Sequence, residues 1–97
     1  MQVRWLSRAT RALIAAHDYI AKDNPNAAKE FFRHVIHSVE QLAQYPQVGR
    51  AGRVPGTREL VLTRYPYIVP YRVKGLEVQV LHVLHSSQIW PSTIPLR

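Results

Sequence analysis

Apolar and polar positions along the 97-residue chain change period once, near the middle, and that change predicts the architecture. Val3 to Leu6 is a short apolar run, expected to form a first strand. Ser7 is placed to cap the helix that follows, since its side-chain oxygen can accept from the free amides of a first turn. Ala9, Leu13, Ala16 and Ile20 then recur at helical spacing. Lys22-Asp23-Asn24 interrupts the stripe. Asn24 is suited to cap a second helix, with Pro25 at its first position, where no N–H is needed. In that helix Ala28, Phe32, Val35, Val39 and Leu42 form the expected stripe, widened by Phe31, Ile36 and Ala43. Tyr45-Pro46 ends it. Two amphipathic helices joined by so short a break predict an antiparallel hairpin.

Residues 47–56 hold three glycines, a proline and two arginines, and read as a loop of about ten residues. Beyond it the period becomes two. Arg58, Leu60 and Leu62 alternate with Glu59, Val61 and Thr63; Tyr67, Val69, Tyr71 and Val73 with Ile68, Pro70 and Arg72; Val78, Val80, His82 and Leu84 with Gln79, Leu81, Val83 and His85. Short turns at Arg64-Tyr65-Pro66 and Lys74-Gly75-Leu76 make these strands an antiparallel meander. Pro70 cannot donate to a ladder, so an edge, a bulge or a twist is expected there. The order β-α-α-β-β-β predicts a two-layer α+β domain, a helical hairpin on an antiparallel sheet. One domain is expected over residues 1–91, with 92–97 a C-terminal tail.

Composition narrows the function classes. Hydrophobic residues at 46% and charged ones at 20% are the balance of a globular protein. No apolar run approaches the roughly 18 residues of a membrane span. The start lacks the apolar core of a secretory signal, so the expected address is the cytoplasm. The absence of cysteine excludes disulfides, thiol catalysis and thiolate metal sites. Thirteen Lys and Arg against six Asp and Glu give a net charge of +7. The second half carries most of it: residues 46–97 hold seven basic side chains and two acidic ones. An arginine-rich excess of this kind suits a polyanion or an acidic partner; the plain alternative is a solvated basic surface.

Few residues offer chemistry. His34 and His37 share a helix face but lack the further ligands a metal needs, so no metal site is expected. His82 and His85, three apart on a strand, should point to opposite faces unless a bulge intervenes. Spacing alone favours a structural role, one of them in the core on a backbone group; the other, His85 at the strand end, could serve as acid or base. No nucleophile elbow, P-loop or dinucleotide fingerprint is present, and no cofactor is expected. Gly49-Arg50-Ala51-Gly52-Arg53 is glycine-rich and basic, yet neither follows a strand nor opens a helix as a phosphate loop does. Arg58 and Arg72 should approach the same end of the meander. With Arg50, Arg53 and Arg64 they are the candidate target-binding rim, able to grip phosphates or carboxylates bidentately.

The order of elements and the residues within them resemble the ParE/RelE superfamily, toxins of bacterial type II toxin–antitoxin modules. The resemblance rests on Val3-Arg4-Trp5 with Ala9 and Leu13, on Asn24-Pro25 with Ala27-Ala28, and on Tyr45-Pro46-Gln47-Val48-Gly49-Arg50. It continues through Pro55-Gly56-Thr57-Arg58-Glu59-Leu60, Tyr67-Ile68-Val69, Tyr71-Arg72-Val73 and Val80-Leu81-His82-Val83-Leu84-His85 to Trp90-Pro91. It implies a small growth-inhibiting toxin held inactive by an antitoxin, here expected to be acidic and to use helix-in-groove packing or strand addition.

Two activities occur in that superfamily. ParE-like members bind DNA gyrase and halt replication without chemistry of their own. RelE-like members are metal-independent endoribonucleases that cut messenger RNA on the ribosome. RelE-like enzymes carry an arginine directly after the first tyrosine of a Tyr-x-x-x-Tyr strand; matched on Tyr67 and Tyr71, that position is Ile68. They also end on a tyrosine after a basic cluster, where this chain has Trp90. The resemblance therefore favours a non-enzymatic gyrase inhibitor. The runner-up, a ribosome-dependent ribonuclease, would centre on His85 and Arg72. A third reading is an inactive toxin fold that only binds its antitoxin.

Overall fold

The computed structural model describes residues 1–87; the boundary expected at 91/92, and Trp90, lie outside them. Strand β1 is Gln2–Trp5 and helix α1 is Ser7–Ala21. Ser7 lies inside the first turn of α1, not at its cap: the capping position is Leu6, which has no side-chain acceptor. The start is fixed through the backbone. Leu6 N–H still donates to Val80 O at 3.1 Å, while Leu6 O already accepts from Thr10 N–H. Leu6 is thus the last residue in the sheet and the first in the helix.

Helix α2, Pro25–Glu40, begins as expected, with the Asn24 side chain accepting from Ala27 N–H at 3.1 Å and Pro25 at the first position. Its buried stripe is Ala28, Phe31, Val35 and Val39, extended by Leu42 in the 3-10 turn Gln41–Ala43. Phe31, not Phe32, occupies the centre of that stripe: Phe31 is fully buried, whereas Phe32 is 37% exposed. Both positions satisfy a 3.6-residue period. The choice is made by the sheet, where the Phe31 ring packs 5.2 Å from Tyr65 and 4.9 Å from Tyr67.

The sheet comprises β2 (Arg50–Ala51), β3 (Arg58–Val61), β4 (Tyr67–Lys74), β5 (Glu77–Val80) and β6 (Leu84–His85) besides β1. Its order is β1-β5-β4-β3-β2, with β6 also on β4. The meander β3-β4-β5 is antiparallel as expected. β1 pairs with β5 in parallel, so the whole sheet is mixed. The segment 47–56 is not a plain loop. β2 within it pairs with β3, placing Arg50 opposite Glu59, and a tight turn held by Gly52 N–H to Thr57 O (2.8 Å) follows.

Helices and sheet enclose the main core, in which Leu13 of α1 and Phe31 and Val35 of α2 cover one face of the sheet, contributed by Val69, Tyr71 and Val80. Leu6, Ile68, Leu81 and Leu84 form a second, smaller cluster. Pairing places Ile68 opposite Leu84, on the sheet face away from the helices. No described helix is long and apolar enough to cross a membrane.

The expected last strand is broken in two, and Pro70 explains the break. Tyr71 pairs with Val80 and Ile68 with Leu84, so two residues of β4 face three on the other side. That is a bulge. A strand residue points its N–H and C=O to the same side, and Pro70 O accepts from Leu81 N–H at 2.9 Å on the bulged side. The donor that proline lacks is therefore missing where the ladder opens.

Candidate functional site

Alternation along β4 separates the candidate residues. Tyr67, Val69 and Tyr71 face the helices; Ile68, Pro70 and Arg72 face away. Arg58, opposite Tyr71, belongs to the helix side, whereas Arg50, opposite Glu59, and Arg72, opposite Gln79, belong to the other.

On the helix-free face Arg50 places Nε and Nη2 each 2.9 Å from Glu59 Oε1. Arg53, from the turn after β2, brings its Nε to 3.8 Å from Glu59 Oε2. Beside them Arg72 Nε donates to Gln79 Oε1 at 2.7 Å, and Gln79 Nε2 donates to Glu77 Oε1 at 2.7 Å. Glu77 in turn pairs with Arg4 at 3.7 Å. Arg4, Arg50, Arg53 and Arg72 thus share one surface, with Glu59 buried between two of them. Neither Glu59 nor Arg4 was expected in the site. The one signal for Glu59 in the sequence is that it is one of only two carboxylates in the basic half.

The other two arginines of the expected rim lie elsewhere. Arg58 shares the sheet end with Arg72 as expected, but donates through Nη1 to Gly49 O (2.8 Å) and Gln47 O (3.2 Å) and so braces the segment leading into β2. Arg64 sits in the β3–β4 turn at the opposite end of the sheet, its guanidinium carbon 5.7 Å from the centre of the Tyr65 ring.

The bulge reverses the expected separation of the two C-terminal histidines. One extra residue restores parity, and His82 and His85 line one open cleft of about 510 Å³ with Tyr19, Tyr67, Ser87 and a floor of alanines from α1. His85 packs edge-on to Tyr67 at 5.1 Å, and its Nδ1 lies 2.7 Å from Ser87 Oγ. His82 has Nδ1 2.9 Å from Val83 N and 3.1 Å from Val83 O. Burial holds its pKa below the ordinary imidazole value, assisted by the charge of Arg8 and opposed by the Val83 backbone. Burial pushes the Tyr67 phenol up, and neighbouring Tyr19 adds to the shift.

His85 and Arg72, the pair on which a ribonuclease would centre, are not brought together. His85 pairs with Tyr67, five positions from Arg72 along β4, or about 17 Å, and on the other face. His34 and His37 have different partners: His34 packs on the Tyr65 ring at 5.3 Å, while His37 contacts Gln41. Burial lowers the His34 pKa, as do Arg64 and His37. No group of three or more potential metal-ligating side chains gathers among the described residues.

Comparison with known proteins bears on the family and the fold. The protein Y4kP of Sinorhizobium fredii is 44% identical over 93 residues, covering 96% of both chains. Toxin RelE2 of Caulobacter vibrioides is 33% identical over 88 residues, covering 91% of this chain and 98% of its own. A solved structure, the chromosomal ParDE toxin–antitoxin system of P. aeruginosa, superposes with a TM-score of 0.79 at 33% identity, over 88% of this chain and 95% of that one. Residues 3–90 match the family model of the ParE toxin of type II toxin–antitoxin systems, parDE. By that match over residues 3–90 and by the shared two-layer α+β fold, the chain belongs to the ParE toxin family of type II toxin–antitoxin systems.

Proposed function

We propose that this toxin acts in the cytoplasm by binding DNA gyrase and blocking replication, and that it performs no covalent chemistry of its own. The observation that carries this reading is the separation of His85 from Arg72 on opposite faces of β4. A phosphodiester lying against one of them is out of reach of the other, and Ile68 brings no charge to the position where RelE-like enzymes have an arginine. Binding needs no such convergence. Arg50, Arg53 and Arg72 would contact the target from the helix-free face, with Arg58 supporting them from behind and Arg64 taking no part. The expected second partner is a cognate antitoxin, as in the ParDE system whose fold this chain shares.

The runner-up keeps one specific support. The cleft holding His82, His85 and Tyr67 has acid–base groups, and the relative RelE2 bears the other branch's name. Rates of DNA and protein synthesis after induction in growing cells separate the two. Gyrase inhibition predicts that thymidine incorporation falls before methionine incorporation; transcript cleavage on the ribosome predicts the reverse order. Undiminished growth would favour the inactive, antitoxin-binding reading.

A further inference from the structure

Glu59 is the one acidic side chain buried among the described residues, with 2% of its surface exposed. Two arginines converge on it. Arg50 commits both Nε and Nη2 to Oε1, and Arg53 approaches Oε2 with Nε, at ion-pair distance but beyond hydrogen-bond length. Oε2 accepts no hydrogen bond among the described residues. Burying a carboxylate is expensive, and an ion pair returns little net stability over an apolar pair of the same volume. What the arrangement does return is orientation.

A guanidinium is a rigid plane with five N–H donors. Arg50 turns its Nε and Nη2 onto Glu59 and Arg53 its Nε, which leaves Nη1 of Arg50 and the Nη groups of Arg53 uncommitted to the carboxylate, and both side chains stay about half exposed. The backbone beneath them is equally fixed. Arg50 is held in β2, and the turn carrying Arg53 is closed by Thr57, whose Oγ1 donates to Val54 O at 2.6 Å and whose N–H donates to the same oxygen at 3.1 Å. Side chains that would otherwise sample many rotamers are pinned to one anchor.

We propose that Glu59 is a positioning residue that holds Arg50 and Arg53 as a preformed two-guanidinium clamp for a phosphoryl oxyanion. The inference rests on reading this face as a binding surface, but not on gyrase being the target. A carboxylate offers its two oxygens in one plane, whereas a phosphoryl group disposes its oxygens tetrahedrally, so that two guanidiniums on separate backbone segments can each meet one. The outer edges of Arg50 and Arg53, carried on β2 and on the turn after it and both anchored to Glu59, therefore favour a phosphoryl over a carboxylate ligand.

The test follows the arginine Nε–H resonances of the full, isotope-labelled chain during titration with inorganic phosphate, dimethyl phosphate and acetate, at constant ionic strength. Both phosphates should move the Arg50 and Arg53 signals together along one saturating curve; acetate should not saturate over the same range. Saturation by inorganic phosphate alone would support the clamp with a free or terminal phosphate, and saturation by both would support a phosphodiester. In Glu59→Gln the midpoint should rise about tenfold as orientation is lost. Charge alone predicts the opposite sign, because glutamine removes a negative group beside the anion. Unchanged or tighter phosphate binding by folded Glu59→Gln, or acetate binding as strongly as phosphate, would overturn the proposal. Glu59→Asp keeps the charge but withdraws the carboxylate by one methylene. It should also weaken binding, and it carries the test if the glutamine variant does not fold. A failure to inhibit gyrase would leave this titration unaffected, so the two readings fail separately.

Discussion

The Tyr71 hydroxyl accepts a hydrogen bond from Gly49 N–H at 2.9 Å and donates one to Pro46 O at 2.8 Å, tying the centre of the sheet to the segment that presents Arg50. The approach is close enough that a Cβ on Gly49 would stand 2.6 Å from the Tyr71 ring and 2.9 Å from Glu59 O. Tyr71→Phe leaves the amide and the carbonyl without this partner and should cost about 1–3 kcal/mol. Gly49→Ala should cost about as much through overpacking. Urea denaturation measures both, and an unchanged midpoint for Tyr71→Phe would remove the tie from the account.

The core register offers a sharper contrast. Phe31 is fully buried against Tyr65 and Tyr67, while Phe32 lies on the hairpin surface beside His17. Phe31→Ala should destabilise the fold by about 3–5 kcal/mol. Phe32→Ala should cost less than about 1 kcal/mol. Equal losses in denaturant unfolding would mean that α2 is rotated from the position described.

Acid should loosen the C-terminal part of the sheet through His82. Burial lowers its pKa in the folded protein, so the unfolded chain takes up the proton first as pH falls. The contribution of His82 is complete above the unfolded imidazole pKa of about 6.5 and is lost as pH falls through the lower folded value. His34 shifts in the same direction and adds to the effect. Melting temperature followed from pH 7.5 to 5 should fall less steeply in His82→Gln than in the parent chain. Parallel curves would contradict the assignment.

Much of the fold was legible because local chemistry and tertiary structure agree. Asn24-Pro25 caps α2 as its residue types require, and Pro70 sits at a bulge because no strand can draw a hydrogen bond from it. What escaped reading depends on contacts distant in sequence. β2 is two residues long and has no period; it is a strand only because Arg50 meets Glu59. The direction of β1 is set by its pairing with β5, more than seventy residues away. Phe31 and Phe32 fit the same helical period, and only the sheet distinguishes them. The arginines were legible as a group but not as two faces, since the face of each depends on the register of its strand. The same dependence hid the shared cleft of His82 and His85, although a bulge was the one event that could create it.

The division of the arginines gives a functional prediction. Neither Arg53 nor Arg72 belongs to the buried core, so Arg53→Ala/Arg72→Ala should fold with a melting temperature within a few degrees of the parent. It should need roughly tenfold more protein for half-maximal inhibition of gyrase. Arg64→Ala, at the other end of the sheet, should inhibit like the parent. Arg58→Ala should lose stability first, because Gln47 O and Gly49 O lose their donor. Full potency in the Arg53/Arg72 variant would remove the helix-free face from target binding.

The central claim is tested most directly by DNA supercoiling with purified gyrase in the presence and absence of this protein, with cleaved DNA scored after denaturation. Inhibition of supercoiling with accumulation of cleaved DNA is the predicted result. Undisturbed supercoiling at concentrations that stop growth in cells would contradict it and move the activity to the ribosome.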